Sequence, residues 1–354
     1  MAHHPNPSSL KPVRIATSTQ AGNMASLKLS IARATNYKET YRMRLRNLLL
    51  SSVILFSVLL AACTAVAPAA SPAADAAPAP TTYANPDVLV DSAWVLEHLE
   101  DPTVRLVDVS GKLDDYNAGH IPGAVYINVG EQMTNPEDST RGQIMTQDAL
   151  SALLSSIGVT PETTVVFYDG SNNLLAARAY WVLKYYQHAD VRILNGGTKK
   201  WSADGQALVT DAVTVTPTDY VAQPADEAIR TTTEYILERL DDENVVMCDA
   251  RNAEEFAGTD VRSARGGHVP GAINVDWVAA VEQDGTFKDA EALNDLYTRA
   301  GFSPDKEIIT YCQTGVRGAH TWFVLSELLG FPNVRNYDGS WEDYGNRTDT
   351  PIES

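Results

Sequence analysis

Gly119-His120-Ile121-Pro122-Gly123-Ala124 returns as Gly267-His268-Val269-Pro270-Gly271-Ala272, and reading these two stretches together decides the fold. The features around them recur in the same order. Val107-Asp108-Val109 precedes the first and Cys248-Asp249-Ala250-Arg251 the second; farther on, Val165-Val166-Phe167-Tyr168-Asp169 answers Ile308-Ile309-Thr310-Tyr311-Cys312. Matched positions lie 141 (Asp108 to Asp249), 148 (His120 to His268) and 143 (Tyr168 to Tyr311) residues apart, which places a small insertion at 258–265 of the second copy. Such self-similarity marks a repeated unit. Each copy alternates short β-rich runs with amphipathic segments such as 148–157 and 176–186. The alternation predicts an α/β domain with a mostly parallel central sheet flanked by helices, present twice. The expected boundaries are 83–205 and 227–354, with 206–226 as the connection.

Tyr311-Cys312-Gln313-Thr314-Gly315-Val316-Arg317-Gly318 reads as a strand ending in a cysteine, a short Gly-containing loop and a helix beginning near Ala319. Loop N–H groups can converge on a sulfur there, and the positive end of the helix dipole favours the thiolate. The other reading is a small buried hydrophobe, a common fate of a free cysteine. Cys248 lies in the apolar run Asn244-Val245-Val246-Met247-Cys248-Asp249, which reads as a buried strand and gives it a structural role. A Cys248–Cys312 disulfide is open to an exported protein, although a thiol needed for chemistry must be kept out of one. No Cys or His pair has metal-ligand spacing, so neither a metal nor another cofactor is expected.

A formal net charge of -18, with Lys and Arg scattered, argues against nucleic acid as partner. The first 82 residues are unlike the rest. Residues 1–42 carry no apolar run; from Met43 the chain reads Met43-Arg44-Leu45-Arg46, then an apolar stretch over 48–60, then Leu60-Ala61-Ala62-Cys63. A short basic region, an apolar run too brief for a comfortable span and small residues before a cut are marks of a secretory signal. Leu60-Ala61-Ala62-Cys63 resembles the lipobox of bacterial lipoproteins, in which Cys63 receives the lipid after cleavage. A plain signal peptide and an uncleaved anchor are the alternatives. The expected layout is an extension or leader over 1–42, a signal over 43–62 and an Ala/Pro/Ser-rich tether over 63–82, holding the protein on the extracytoplasmic face of the cell membrane. Either Met1 or Met43 is compatible with it as the start.

The paired Gly-His-x-Pro-Gly-Ala motifs, the cysteine loop of the second copy and Asp338-Gly339-Ser340-Trp341 together resemble the tandem-domain rhodaneses, sulfurtransferases whose first domain has lost its nucleophile. The resemblance covers about residues 87–344, and Asp169 stands where it places the match to Cys312. It implies that a Cys312 thiolate takes the sulfane sulfur of a small anionic donor and passes it from a persulfide to a thiol or cyanide acceptor in ping-pong order. Gln313, Thr314, Gly315, Val316 and Arg317 are expected to supply the cradle of backbone donors, and Arg317 a guanidinium beside the sulfur. Four residues separate Cys312 from Arg317, as in the rhodanese loop; cysteine phosphatases have five. Arg178 matches a position that reaches across the domain interface to bind the donor; a solvated helix charge is the alternative. Arg251 either contacts substrate or pairs with an acid such as Glu255. Lys184 is read as a surface residue, and Asp249 as orienting Arg251 or the loop. His120 and His268 are read as structural, because the same motif stands in the half without the cysteine; Trp341 and Tyr344 fit the cleft or the core equally. Family loops for thiosulfate and for 3-mercaptopyruvate read Cys-Arg-Lys-Gly-Val-Thr and Cys-Gly-Ser-Gly-Val-Thr. Gln313-Thr314 matches neither, and the extra cation at Arg317 favours the compact dianion thiosulfate. A membrane-tethered persulfide relay for a protein partner is the competing class.

Overall fold

The computed structural model describes residues 80–354. The expected leader and signal, the lipidation site Cys63 and nearly all of the tether lie outside the described residues.

Among the described residues ten strands form two five-stranded parallel sheets. The first contains β1 (Leu89–Val90), β2 (Val104–Asp108), β3 (Val125–Tyr126), β4 (Thr164–Tyr168) and β5 (Val191–Leu194), in the order β1-β5-β4-β2-β3. The second contains β6 (Arg230–Thr231), β7 (Val245–Asp249), β8 (Ile273–Asn274), β9 (Glu307–Tyr311) and β10 (Val334–Tyr337), in the order β6-β10-β9-β7-β8. The second order is the first shifted by five strands, so the sequence repeat is a repeat of topology. Parallel sheets bury both faces, which is why β4 and β9 are apolar runs with little alternation. Among the described residues no helix is long and apolar enough to cross a membrane.

The Gly-His-x-Pro-Gly-Ala motifs hold the ends of these strands. The amide of Ile121, just after His120, donates to the Tyr168 hydroxyl, and that of Val269, just after His268, donates to the Tyr311 hydroxyl. Each motif therefore grips the tyrosine that precedes Asp169 or Cys312. The histidines fasten chain behind the motif: His120 contacts the Tyr116 and Asp211 carbonyls, and His268 the Phe256 carbonyl while stacking on the Phe256 ring. Segment 206–226 contains no helix or named strand. It is strapped along helix Gln147–Ser156 through Thr218, Tyr220 and Ala222.

One apolar layer runs through both domains and includes Tyr180, Trp181, Trp322 and Phe323; separate clusters cover the outer faces of the two sheets. The segment expected to be an amphipathic helix at 176–186 is helix Leu174–Tyr185, and nine of its residues are buried. The physical reason is the second domain. Helix Val316–Trp322 packs against it, with the Tyr180 ring edge-on to Phe323 at 4.7 Å, so no face remains for solvent.

Candidate active site

Strand β9 delivers Cys312 to the carboxyl edge of the second sheet, where helix Val316–Trp322 begins and continues as a π-helical turn, Phe323–Leu328. The helix starts three residues before the expected Ala319. Gly315 makes this possible: its φ of 74° lets the chain enter the helix at once, and a Cβ there would lie 2.8 Å from the Asp338 carbonyl oxygen. Cys312 is 1% exposed, and Cys248 and Cys312 are both free thiols, so the disulfide left open by the sequence is not formed.

The first domain shows what this loop can hold. Asp169, fully buried, accepts hydrogen bonds from four backbone N–H groups: Ser171 (2.6 Å) and Asn173 (3.1 Å) on Oδ1, Leu175 (2.7 Å) and Ala176 (2.9 Å) on Oδ2. Burial raises its pKa above the usual carboxylate range, and these four donors oppose the rise. The loop is thus an anion cradle filled by its own side chain. In the second domain the N–H groups of Gln313, Thr314, Val316 and Arg317 make no hydrogen bond to another described residue. Those of Cys312 and Gly315 are already used: both donate to Ser340 Oγ, at 3.1 and 3.0 Å. This corrects the expectation that Gly315 lends its N–H to a donor.

Ser340 was missed by the sequence reading, which cited its motif only for resemblance. Its φ is 50°, and the matching position in the repeat is Gly197, at φ 53°. There a Cβ would lie 1.9 Å from the Asp169 carbonyl oxygen. A serine where the sister domain needs glycine was the available signal. The Ser340 hydroxyl also donates to the Tyr337 carbonyl, which orients its lone pairs toward the loop.

The arginines are committed more fully than expected. Arg178 does cross the domain interface, but its guanidinium is 1% exposed and pairs with Asp338 at 2.7 Å, while also donating to the carbonyls of Gly142 (2.9 Å) and Gly315 (3.4 Å). It braces the loop and at the same time forms part of the cleft wall. Of the two alternatives for Arg251, the structure shows an acid pair, with Asp249 and not Glu255: Arg251 is buried in a bidentate pair with Asp249, donates to the Gly267 carbonyl and lies over the Trp341 ring at 4.6 Å. Both guanidiniums are ion-paired and also hold backbone carbonyls. Trp341 and Tyr344 belong to the core beneath them.

Arg317 lies within electrostatic reach of Cys312, and Glu255 holds it in a bidentate pair at 2.6 and 2.8 Å. Burial alone would lower the pKa of Arg317, but the Glu255 pair and the nearby Cys312 sulfur raise it. Burial likewise opposes the charge of Glu255, and Arg317 and Arg262 overcome it, leaving its pKa lowered. Arg262 comes from the 258–265 insertion and reaches Glu255 at 3.5 Å. The same insertion ties down the loop, since Gln313 Nε2 donates to Ser263 Oγ at 3.0 Å and to Glu342 Oε2 at 3.1 Å. Gln313 therefore anchors the loop with its side chain. Glu255 and Asp338 were also missed as site residues; their distance in sequence from Cys312 hides the contact.

A cleft of about 610 Å³ opens beside the loop, walled by residues 129–142 of the first domain, Leu175 and Arg178, and by Thr314 and Val316.

Comparison with known proteins agrees with this geometry. Residues 91–204 and 232–347 each match the family described as Rhodanese-like domain. The chain is 40% identical over 281 residues to the sulfur carrier protein TtuD of Thermus thermophilus, covering 76% of this chain and 98% of that one. It is 42% identical over 278 residues to a protein of Mycolicibacterium smegmatis named "Putative thiosulfate sulfurtransferase", covering 76% and 99%. Among solved structures, SseA of Escherichia coli, described as a 3-mercaptopyruvate sulfotransferase, superposes with a TM-score of 0.65 at 29% identity, covering 72% of this chain and 98% of that one. Two sheets of one topology, each carrying the family's match, make the chain a member of the rhodanese-like domain family with two tandem copies of its domain and the sulfurtransferase chemistry of its homologues.

Proposed function

We propose that the protein is a thiosulfate sulfurtransferase working through a persulfide on Cys312. The pair of loops carries the reading: one cradle holds the carboxylate of Asp169 on four backbone donors, and its counterpart holds a thiol with backbone donors to spare. A cradle able to ligate one buried anion suits a thiolate and a persulfide anion as well. The Cys312 thiolate attacks the sulfane sulfur of thiosulfate, the S–S bond of the donor breaks, and its electron pair leaves on sulfite. The acceptor then attacks the outer sulfur of the persulfide, forming thiocyanate from cyanide or a persulfide from a thiol, and the thiolate returns. The spare N–H groups of the loop and the Arg317 guanidinium stabilise the sulfur anion, Ser340 and Arg178 fix the loop, and Asp169 leaves the first domain without a nucleophile.

Thiosulfate is favoured as donor by the cation beside the sulfur and by the name of the M. smegmatis relative. The likeness to SseA makes 3-mercaptopyruvate the alternative donor. A persulfide carrier for a protein partner is a second reading, favoured by the likeness to TtuD. On the sequence of residues 43–63 we further propose attachment through a lipid on Cys63 to the extracytoplasmic face of the membrane; lipid labelling that survives Cys63→Ala would refute this. The function is tested by incubating the protein with thiosulfate, or with 3-mercaptopyruvate, and then with cyanide. Expected are sulfite from thiosulfate, or pyruvate from 3-mercaptopyruvate, then thiocyanate, and an adduct of about 32 Da on Cys312, all lost in Cys312→Ser. No sulfite from protein whose Cys312 is demonstrably reduced would sink the thiosulfate reading.

A further inference from the structure

The insertion at 258–265 stands only in the domain that keeps the cysteine. Its Ser263 fastens Gln313, the residue after Cys312, and its Arg262 reaches Glu255, the carboxylate that holds Arg317. Glu255 is 1% exposed, a place where a carboxylate must be compensated. Its Oε2 accepts from Arg317 Nη1 at 2.6 Å, whereas its Oε1 is shared by Arg317 Nη2 at 2.8 Å and Arg262 Nη1 at 3.5 Å. The first domain has no such arrangement. Tyr116 stacks on His120 as Phe256 stacks on His268, so the acids before them, Asp115 and Glu255, correspond, and Asp115 is exposed. The residue 143 positions before Arg317 is Leu174. The buried acid, its cation and the insertion therefore occur together, in the half with the nucleophile. The other buried arginines around the loop are each matched by one buried carboxylate, Arg178 by Asp338 and Arg251 by Asp249. Glu255 would match Arg317 in the same way if Arg262 did not draw on it too. The Arg262 side chain is 46% exposed, and its other partner is the exposed Asp260 at 2.6 Å, a pairing of modest strength. Asp276 is a further acid within electrostatic reach of Arg317.

Resting on the persulfide reading above, we propose that Glu255 and Arg262 are positioning residues that select the sulfur donor by its charge. Glu255 fixes the Arg317 guanidinium by its bidentate pair. Arg262, by drawing on the same carboxylate, leaves Arg317 with more of its charge for an anion at the sulfur. A doubly charged donor gains more from that charge than a singly charged donor of like size. The insertion thus acts on the reaction through Glu255, without itself touching the donor.

The test compares thiosulfate with methanethiosulfonate, in which a methyl group replaces one charged oxygen, on the full chain with cyanide as acceptor. With either donor the Cys312 thiolate takes the outer sulfur, the S–S bond of the donor breaks, and its electron pair leaves on sulfite or on methanesulfinate. The donors therefore differ in charge and not in the bond broken. The readout is the kcat/KM for thiosulfate divided by that for methanethiosulfonate, taken at low ionic strength because salt screens an exposed arginine. Arg262→Gln should lower this ratio and Glu255→Gln should raise it, each by about fivefold, and Arg262→Lys should restore most of the loss. Damage to packing would depress both donors together and leave the ratio unmoved. If Glu255→Gln melts below the assay temperature, the two Arg262 variants decide. A ratio within twofold of the wild type in Arg262→Gln, or a change of the same sign in Arg262→Gln and Glu255→Gln, overturns the proposal and leaves the persulfide reading standing. Failure of the wild type to form an adduct of about 32 Da with either donor overturns both.

Discussion

Ser340 occupies left-handed backbone, a conformation that costs a non-glycine residue about 1–3 kcal/mol. What offsets the strain is its hydroxyl, which accepts from the Cys312 and Gly315 N–H groups in a site where neither could reach water. Ser340→Gly removes the strain and the acceptor together, and the two effects act on different quantities. Stability should change little, whereas the loop loses the point that fixes its shape. Leaving a buried donor unmet costs about 1–3 kcal/mol, so kcat/KM for sulfur transfer should fall by about tenfold or more. Thermal melting and steady-state kinetics on the one variant separate these; full activity would remove Ser340 from the loop's support. At this scale the sequence was readable where chemistry and backbone demands are local, as with Cys312 and Gly315. It was opaque for Ser340, Asp338 and Glu255, whose contacts exist only once β10 and the segment after β7 are brought beside β9.

Helices Leu174–Tyr185 and Val316–Trp322 each follow a loop of the same design, and each sends a polar side chain into the contact between them. From the first helix comes Arg178, ion-paired with Asp338; from the second comes His320, fully buried between Trp277 and Phe287. A cation in the helix after the loop reads from sequence as a donor ligand, because sequence gives proximity to the site but not burial. Arg178→Ala breaks a pair whose side chains are 1% and 0% exposed, and loss of one partner of such a pair costs about 3–5 kcal/mol. The expected signature is a large fall in urea midpoint with kcat depressed as well; a stable protein with only the donor KM raised would make it a donor ligand instead. For His320 the sign runs the other way from a salt bridge. Burial depresses its pKa from the ordinary 6.5 to about 3, so its stabilising contribution is complete above about pH 6.5. As the pH falls from there toward about 3, the unfolded chain takes a proton that the folded ring refuses, and stability is lost at up to about 1.4 kcal/mol per pH unit. In His320→Leu this loss should be absent. Urea midpoints at pH 7 and pH 4.5 should therefore converge for the variant relative to the wild type, and an unchanged difference would show that His320 does not titrate between them.

The repeat in the sequence made two domains legible, and the identical strand orders follow from it. That the two share one apolar layer was not legible. Residues 176–186 have the same composition whether a partner domain or solvent covers them, and the ring that covers Tyr180 from the second domain, Phe323, lies 143 residues away. The joint is also polar and reciprocal: Asn173 Nδ2 donates to the Gly285 carbonyl, the Phe287 N–H donates to Asn195 Oδ1, and near the chain's described start Ala84 N–H donates to the Leu328 carbonyl. Proteins of two domains commonly unfold in steps, but here separating the domains exposes Tyr180, Trp322 and Phe323 and orphans the Arg178–Asp338 pair at once. The expected result is a single urea transition in which tryptophan fluorescence, far-UV circular dichroism and the ability of Cys312 to take up sulfur from thiosulfate are lost together. The slope of that transition should be that of the whole folded unit and not of half of it, since it scales with the surface exposed. Residues 227–354 expressed alone should accordingly be aggregated or molten, even though they contain the cysteine, its loop and a complete sheet. Two resolved transitions, or a stable and active second domain, would show that the shared layer is an ordinary interface between independent units.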